Sequence, residues 1–472
     1  MEPILSTWKS ITLLLVSFAV IFVGILYLEA PSTIVLIFAG VSVIILSVIW
    51  GVRWQKIEDD LLNNLKAMLQ PILILLAVGM LIGAWMLSGT IPLIVYYGLL
   101  SINPMYFLIL TAVICSFMSI MAGTSWGTIG TVGVALMGVS IGLGIPAHYT
   151  AGAIVVGAIF GDKLSPLSDT TIMSAAMAKV SLVDHIKHLL WTTIPGYCIS
   201  LVLYLILGFQ FGGQIEKNEK VEVILKTLHE HFNLNPLLLL PPIIVLLLIY
   251  FKKPTLPVFM IGILTGCLLA ILFQGRDVLE VANVLNKGYQ DSTSVAIVDE
   301  IIQRGGLASM LGTVALLIGA AVFGSPLQTA GVIQIILQKI SELAKSAKTM
   351  MASSLTLHAL LFSITGSYYV TFAVVGPMIS PLYDKYQLHR KNWSRTMEDT
   401  GTALAPIIPW SVTGAFIADT LKVPTGDYIL FAPMTYLGII FALIYIFTGV
   451  GIAKSKNKGS KRYDSELKTK GM

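Results

Sequence analysis

Residues 11–28 read ITLLLVSFAVIFVGILYL, and residues 33–50 read TIVLIFAGVSVIILSVIW, with no charged side chain in either run. A helix rises about 1.5 Å per residue, so runs of about 18 or more residues suffice to cross a hydrocarbon core of about 30 Å. Comparable runs recur to the last one, at 428–452. The pattern predicts an all-α, polytopic membrane protein with roughly 10 to 13 spanning segments. A transmembrane barrel would instead show alternating segments of about ten residues.

Composition supports this fold class and excludes several functions. Of the 472 residues, 56% are hydrophobic and 12% charged, about half the charged share of a soluble domain. The sequence contains no GxxxxGK[ST], CxxC or HExxH pattern, so we expect neither an enzyme nor a resident cofactor. The first apolar run is too long for a signal-peptide core and is interpreted as a retained span.

Loop charges predict the orientation. Lys9 precedes the first run and Arg53 and Lys56 follow the second, whereas the connection between the runs holds only Glu29. Positive residues favour the cytoplasmic side, so the N-terminus is predicted to be cytoplasmic, in a bacterial-type plasma membrane. Residues 454–472 form a basic tail, which places the C-terminus on the same side. Residues 56–66 are interpreted as a short amphipathic helix at the interface.

An internal repeat is indicated by two stretches, GTSWGTIGTVG from Gly123 and GSYYVTFAVVG from Gly366, which share four identities at an offset of 243 residues. Charges in corresponding loops are reversed, as a repeat inverted in the membrane plane predicts. We therefore divide the chain into membrane halves at 1–232 and 233–453. Polar, Gly- and Pro-containing segments interrupt the apolar runs and predict broken helices at 121–131, 161–172, 364–377 and 397–411.

The broken segments are where we expect the chemistry, because irregular backbone at membrane depth is tolerated only when buried in protein or lining a wet cavity. Three acids there, Asp162, Asp169 and Asp399, are functional candidates, since a carboxylate inside a membrane is costly. Oxygen ligands suit a hard cation such as Na⁺, and a buried carboxyl can exchange the cation for a proton. The hydroxyls predicted to complete the ion site are Thr124, Ser125, Thr128, Ser165, Ser168, Thr170, Thr171, Thr400 and Thr402.

Four further residues are predicted to line a substrate pocket: Trp126, Ser367, Tyr368 and Trp410. Structural alternatives stand beside these assignments, because small and hydroxyl residues also pack membrane helices and join them by hydrogen bonds. Asp162 could pair with its neighbour Lys163, and Glu398 could be interfacial. The histidines are placed in loops, including His185 and His188, except for His358, which is interpreted as a hydrogen-bonded interior residue.

The motifs GTSWGT at 123–128 and GDKLSPLSDTT at 161–171, with DEIIQRGGLASML at 299–311, resemble the NhaC-type sodium/proton antiporter family. The resemblance runs through nearly the whole chain. It implies a helical antiporter whose two inverted repeats form the transport site, with Na⁺ and H⁺ as transported ions. The resemblance also implies relatives that carry malate or lactate, so a coupled organic anion antiporter, or another small carboxylate or amino-acid transporter, remains an alternative.

A solute carboxylate would be served by a membrane-embedded Arg, and we identify none outside the predicted loops, which favours plain cation exchange. The expected partners are the lipid bilayer and a small ion or organic anion. No nucleic acid is expected, and a homodimer is left open.

Overall fold

The structure, a computed structural model, describes residues 5–212, 219–251, 253–332, 335 and 345–455. Its first half contains α1 (Thr7–Phe22), α2 (Ser32–Ile49), α3 (Trp54–Leu87), α4 (Thr90–Ser101), α5 (Pro104–Ala122), α6 (Ser125–Thr128), α7 (Val134–Leu143), α8 (Ala147–Leu164), α9 (Asp169–Ala178) and α10 (Leu182–Phe209). The connecting and second-half helices are α11 (Glu219–His231), α12 (Leu240–Tyr250), α13 (Thr255–Gln274), α14 (Val278–Lys287), α15 (Ala296–Ile302), α16 (Leu311–Thr329), α17 (Ala347–Thr365), α18 (Tyr368–Lys385), α19 (Lys391–Thr400), α20 (Val412–Leu421), α21 (Thr425–Tyr428) and α22 (Pro433–Thr448).

The predicted membrane class is confirmed. Within the described residues, nine helices are long and apolar enough to cross a membrane, and eleven if each of two bent pairs counts as one span. One bent pair lies at the end of the chain, where the apolar run 428–452 is divided by a bend of 58° before α22. Pro433 begins α22, as expected for a residue that lacks the N–H a helix interior needs.

One local prediction is wrong. Residues 56–66 do not form a short interfacial helix but the first turns of α3, a single helix of 34 residues. Pro71 lies inside this helix without ending it. Asp60 in the same turns accepts a hydrogen bond from Thr329 of α16 at 2.7 Å, and Asn64 donates to Ser325 of α16 at 2.5 Å. Polar partners on α16 thus hold this charged segment against the protein.

Several left-handed backbone positions recur at a constant spacing along the chain. Left-handed residues end corresponding helices at an offset of 243, in the pairs Gly123/Gly366, Gly144/Gln387 and Lys179/Lys422. At the same offset α9 corresponds to α20, and both begin at a serine N-cap. The predicted repeat spacing of 243 residues thus recurs in backbone turns and helix starts.

The helix α8, which carries the predicted site residue Asp162, is closely packed by its neighbours. The buried part of α8 runs from Thr150 to Lys163, and this helix packs most extensively against α5. Gly157 and Gly161 face α5 so closely that an added Cβ at Gly161 would collide with the backbone oxygen of Ser116. The short helices pack across the halves, α9 against α18 and α19, and α20 against residues 129–133 and α7.

Candidate functional site

The helices are interrupted within each of the four predicted segments, at 123–124, 165–168, 366–367 and 401–411. The glycine turns at 123 and 366 each lie against one of the other two interrupted segments. Gly123 ends α5 in the left-handed conformation, with φ of 64°, and an added Cβ there would lie 2.7 Å from the Cβ of Leu167. Gly366 ends α17 in the same way, with φ of 65°, and its carbonyl accepts from the N–H of Val412 at 3.2 Å. These turns need glycine because any side chain would be strained and would meet the neighbouring segment.

Asp162 lies at the end of α8, just before its break, and is 3% exposed. Its Oδ2 accepts a hydrogen bond from the Ser125 hydroxyl at 2.7 Å, and Ser168 lies close to the same carboxyl. Its Oδ1 is buried and has no hydrogen-bond partner among the described residues. The alternative in which Asp162 pairs with Lys163 is not observed, since consecutive helical residues do not face each other and Lys163 pairs with Asp399. Asp162 is thus a buried acid with one carboxylate oxygen that has no hydrogen-bond partner among the described residues.

Asp169 begins α9 on the other side of the break and is exposed. Its Oδ1 accepts from the N–H of Thr170 at 2.9 Å, and its Oδ2 accepts from the hydroxyl of Tyr369. Tyr369 belongs to α18, in the other half of the chain. Asp169 therefore joins α9 to α18 beside Asp162.

Asp399 forms a buried ion pair with Lys163, whose Nζ lies 2.7 Å from Oδ1, and the two side chains are 0% and 2% exposed. Thr192 of α10 donates to the same oxygen at 3.0 Å. The other oxygen, Oδ2, has no hydrogen-bond partner in the described part of the chain. This pair joins α8 to α19 across the two halves and neutralises the charge of Asp399.

Another buried acid, Glu398, precedes Asp399 in α19. Glu398 accepts from Ser174 of α9 at 3.0 Å, and Thr402 lies beside the same carboxyl. The Ser174 hydroxyl also lies 2.9 Å from Nε2 of His185, whose Nδ1 lies 2.7 Å from the hydroxyl of Ser394. A hydrogen-bonded chain thus extends from Glu398 through α9 and α10 and back to α19.

The predicted hydroxyls are divided between this cluster and local backbone roles. Ser125 and Ser168 face Asp162, and Thr402 faces Glu398. The Thr124 hydroxyl caps α6 by accepting from the N–H of Gly127, and the Thr170 hydroxyl pairs with that of Ser168. The other hydroxyls donate to backbone carbonyl groups: Thr128 to that of Thr124, Ser165 to that of Ile120, Thr171 to that of Asp162 and Thr400 to that of Thr396. For these the structural alternative, hydrogen bonding within and between helices, describes the contacts observed.

The predicted lining residues lie at the meeting of the halves. The Trp126 indole donates to Thr413 of α20 at 3.3 Å, and Tyr368 lies close to Thr413 and to both Asp162 and Asp169. Ser367 is a buried N-cap residue whose hydroxyl has no partner among the described residues. Trp410 donates to the carbonyl of Ser363 at 2.6 Å, which fits a packing role.

Three predictions about charged residues are wrong. His185 and His188 do not lie in loops but in α10, both buried. The expectation that arginines lie only in loops fails at Arg395, because α19 begins at Lys391 and the Arg395 side chain is 1% exposed. His358 is confirmed as an interior residue, with Nδ1 2.7 Å from the Thr400 hydroxyl. Sequence reasoning therefore missed an embedded arginine and the histidine that contacts Ser174.

The cluster suits a monovalent cation better than a tightly held metal. Among the described residues, no group of three or more His, Cys, Asp or Glu side chains is arranged to hold a metal ion. Asp162 instead offers one carboxylate beside hydroxyls and irregular backbone. Such neutral oxygens and a single charge match the ligands that transporters use for Na⁺ at broken helices.

Comparison with known proteins shows that the chain is similar to several antiporters. The model of the Na⁺/H⁺ antiporter family matches residues 1–190 and 157–450. The chain is 38% identical to the Na⁺/H⁺ antiporter NhaC of Alkalihalophilus pseudofirmus, over 87% of this chain and 89% of that protein. It is 35% identical to the malate-2H⁺/Na⁺-lactate antiporter of Bacillus subtilis, over 92% and 93% respectively. It is 33% identical to the arginine/ornithine antiporter ArcD of Halobacterium salinarum, over 85% and 82%.

Proposed function

Because the chain belongs to the Na⁺/H⁺ antiporter family, we propose that it exchanges Na⁺ for H⁺ across the plasma membrane, with Asp162 as the shared binding group. The observation that carries the proposal is the environment of this acid. Asp162 is buried, accepts from Ser125 and keeps Oδ1 open, whereas Asp399 already has Lys163 as its counter-ion. A buried carboxyl without a cationic partner is neutralised either by a proton or by a bound cation.

The other site residues complete this arrangement. Ser125 and Ser168 supply neutral oxygens near Asp162, and Asp169 supplies a second carboxylate beside it. We assign Asp169 to the entry of the cation, with Tyr369 holding its orientation. Direct binding of Na⁺ by Asp399 stays a prediction, because its ion pair with Lys163 would first have to open.

The repeat supplies the means of alternating access. Corresponding turns at an offset of 243 residues, with loop charges reversed between the halves, support two units inverted in the membrane. Half-helices of each unit pack against the other unit, so movement of one unit would expose Asp162 to one side and then the other. The cytoplasmic placement of both chain ends stays a prediction, since residues 1–4 and 456–472 lie outside the described part of the chain. The halves 1–232 and 233–453 remain our proposed division. A homodimer stays a prediction.

A coupled organic anion antiporter is the second candidate, and two buried cations favour it. Lys163 and Arg395 are both buried within the protein, where they could attract a solute carboxylate. Each is engaged, however: Lys163 binds Asp399, and Arg395 donates to the carbonyl of Gly451 at 3.1 Å and lies over Tyr445. Neither is available unless these contacts open, so plain cation exchange is the stronger proposal.

Proteoliposomes containing a pH-sensitive dye separate the two candidates. An outward Na⁺ gradient is imposed with no organic acid present, and again with malate, lactate or arginine on either side. Plain exchange predicts Na⁺-driven acidification that is unchanged by the organic solutes. Proton movement that begins only when one of these solutes is added would reject plain exchange and support the coupled antiporter.

A further inference from the structure

The segment 299–311 (DEIIQRGGLASML) contributes nothing to the carboxylate cluster, yet it forms the wall of two adjoining cavities. A cavity of about 460 Å³ is lined by Lys287, Tyr289, Gln290, Gln303, Arg304, Gly305, Ser309 and Lys422. A second, of about 290 Å³, shares Gln303, Arg304 and Lys422 and also contacts Asp299 and Glu300. Lys422 ends α20, about 15 Å along that helix from its beginning at the transport site.

The larger cavity has a strongly positive lining. Lys287, Arg304 and Lys422 surround it, and no Asp or Glu is among its lining residues. The ion pairs found in the described residues do not include any of these three cations. The remaining polar groups are amides and hydroxyls that can donate hydrogen bonds. Such a lining favours an anion, since three like charges at one cavity repel one another unless a counter-ion lies between them.

Two acids, Asp299 and Glu300, line the adjoining smaller cavity and offset part of the charge of Arg304 and Lys422, but neither lines the larger cavity. Asp299 is occupied locally: its carboxylate accepts from the Ser292 hydroxyl at 2.6 Å and from the N–H and hydroxyl of Thr293, both at 2.7 Å. These hydrogen bonds, first that from Ser292, lower the pKa of Asp299, so it stays ionised and capped. Asp299 and Glu300 both face the smaller cavity.

The backbone around Arg304 is fixed. Gly305 and Gly306 have φ of 85° and 83°, and the N–H of Gly306 donates to the carbonyl of Gly79 in α3 at 2.7 Å. The carbonyl of Arg304 accepts from the N–H of Tyr289 at 3.1 Å. A Cβ at Gly305 would collide with the backbone of Gly83. The two glycines therefore allow a close approach that holds one wall of the cavity rigidly against α3.

Arg304 has a structural role as well, because its Nη1 donates to the carbonyl of Leu421, at the end of α20, at 3.3 Å. That contact accounts for the burial of Arg304, which is 7% exposed. It does not account for Lys287 and Lys422, which lie on different elements, are exposed, and face the same cavity. A capping role for Arg304 alone would not require the other two cations.

We propose that the 460 Å³ cavity binds a small oxyanion with two or more negative charges, of the dicarboxylate or phosphate class. Its volume, at about 30 Å³ per water, has room for on the order of ten waters, far more than a halide needs. The phosphate of an anionic lipid headgroup shares this chemistry with a free dicarboxylate or inorganic phosphate. Binding here is separate from Na⁺/H⁺ exchange at Asp162.

Calorimetric titration of the purified full-length protein, in Na⁺-free buffer, tests the site without any transport measurement. The probes are succinate, inorganic phosphate and chloride. We expect saturable binding of succinate or phosphate and none of chloride. Lys287→Gln and Lys422→Gln should each weaken binding about tenfold, the effect of losing one favourable charge interaction of about 1.4 kcal/mol.

Lys179→Gln is the matched control, because Lys179 has the same left-handed cap position one repeat earlier and does not line the cavity. Arg304→Gln is omitted from the decisive set, since loss of its cap on α20 could unfold the protein. The site is rejected if wild-type protein shows no saturable binding at tens of millimolar succinate and phosphate. It is also rejected if Lys287→Gln combined with Lys422→Gln binds as tightly as Lys179→Gln.

Nanodiscs distinguish the two sources of the anion. The titration is repeated in phosphatidylcholine and in phosphatidylcholine mixed with phosphatidylglycerol. Unchanged succinate affinity in both lipids supports a soluble anion as the occupant. Weaker affinity in the anionic lipid, restored by removing phosphatidylglycerol, supports a lipid headgroup at the same oxyanion site.

Discussion

Asp162→Asn is the substitution that tests the transport site most sharply, because the amide keeps the shape of the side chain and removes its charge. At an effective dielectric constant of about 20, a carboxylate and a monovalent cation about 4 Å apart attract by about 4 kcal/mol. Asp162 is buried, and a directly coordinated cation would lie closer than about 4 Å. We therefore use about 4 kcal/mol as a lower bound on the attraction. At about 1.4 kcal/mol per tenfold change, Na⁺ affinity should fall by about three orders of magnitude.

Radioactive Na⁺ binding to purified protein measures the affinity, and Na⁺-driven proton flux in proteoliposomes measures the exchange. Ser125→Ala removes one hydrogen bond to the same carboxylate, worth about 1.5 to 3 kcal/mol, so its defect should be smaller than that of Asp162→Asn. Asp384→Asn is the control, because Asp384 is an exposed partner of Arg390, and such pairs contribute about 0 to 1 kcal/mol. Wild-type Na⁺ affinity and exchange in Asp162→Asn would refute the reasoning.

Two further predictions concern stability, measured by thermal unfolding in detergent. Lys163→Met should destabilise the protein by about 3 to 5 kcal/mol by leaving Asp399 buried and unpaired, and adding Asp399→Leu should recover most of that loss; equal instability of the single and double variants would contradict the ion-pair role. Gly161→Ala should cost about 1 to 3 kcal/mol through its collision with Ser116, whereas Gly426→Ala, with open space around it, should be neutral; equal melting temperatures for the two alanine variants would contradict the packing account.

The sequence was sufficient for features determined by local chemistry. Long apolar runs gave the membrane fold, and Gly123 and Gly366 marked turns because the left-handed conformation there favours glycine. The acids of the broken segments were found because charge inside an apolar run is costly. Asp162 could thus be proposed as a site residue without any knowledge of its contacts.

What the sequence could not supply was the partner of each polar group. A pairing of Lys163 with Asp162 was only an alternative, and Lys163 instead pairs with Asp399, 236 residues later in the chain. His185 and Arg395 were placed in loops because charged residues usually lie there, whereas contacts with Ser174 and Gly451 support them inside the bundle. These partners come from distant segments, so no local pattern indicates them. The continuity of α3 through residues 56–66 likewise depends on contacts with α16.

The central claim, that Na⁺ and a proton alternate at Asp162, is tested most directly by counting protons released when Na⁺ binds. Purified protein in weakly buffered solution is mixed with NaCl, with choline chloride as the ionic-strength control, and the pH change is recorded. The account predicts proton release that saturates with Na⁺ in the wild-type protein and is absent in Asp162→Asn. Saturable Na⁺ binding with no proton release, or the same release from Asp162→Asn, would contradict it.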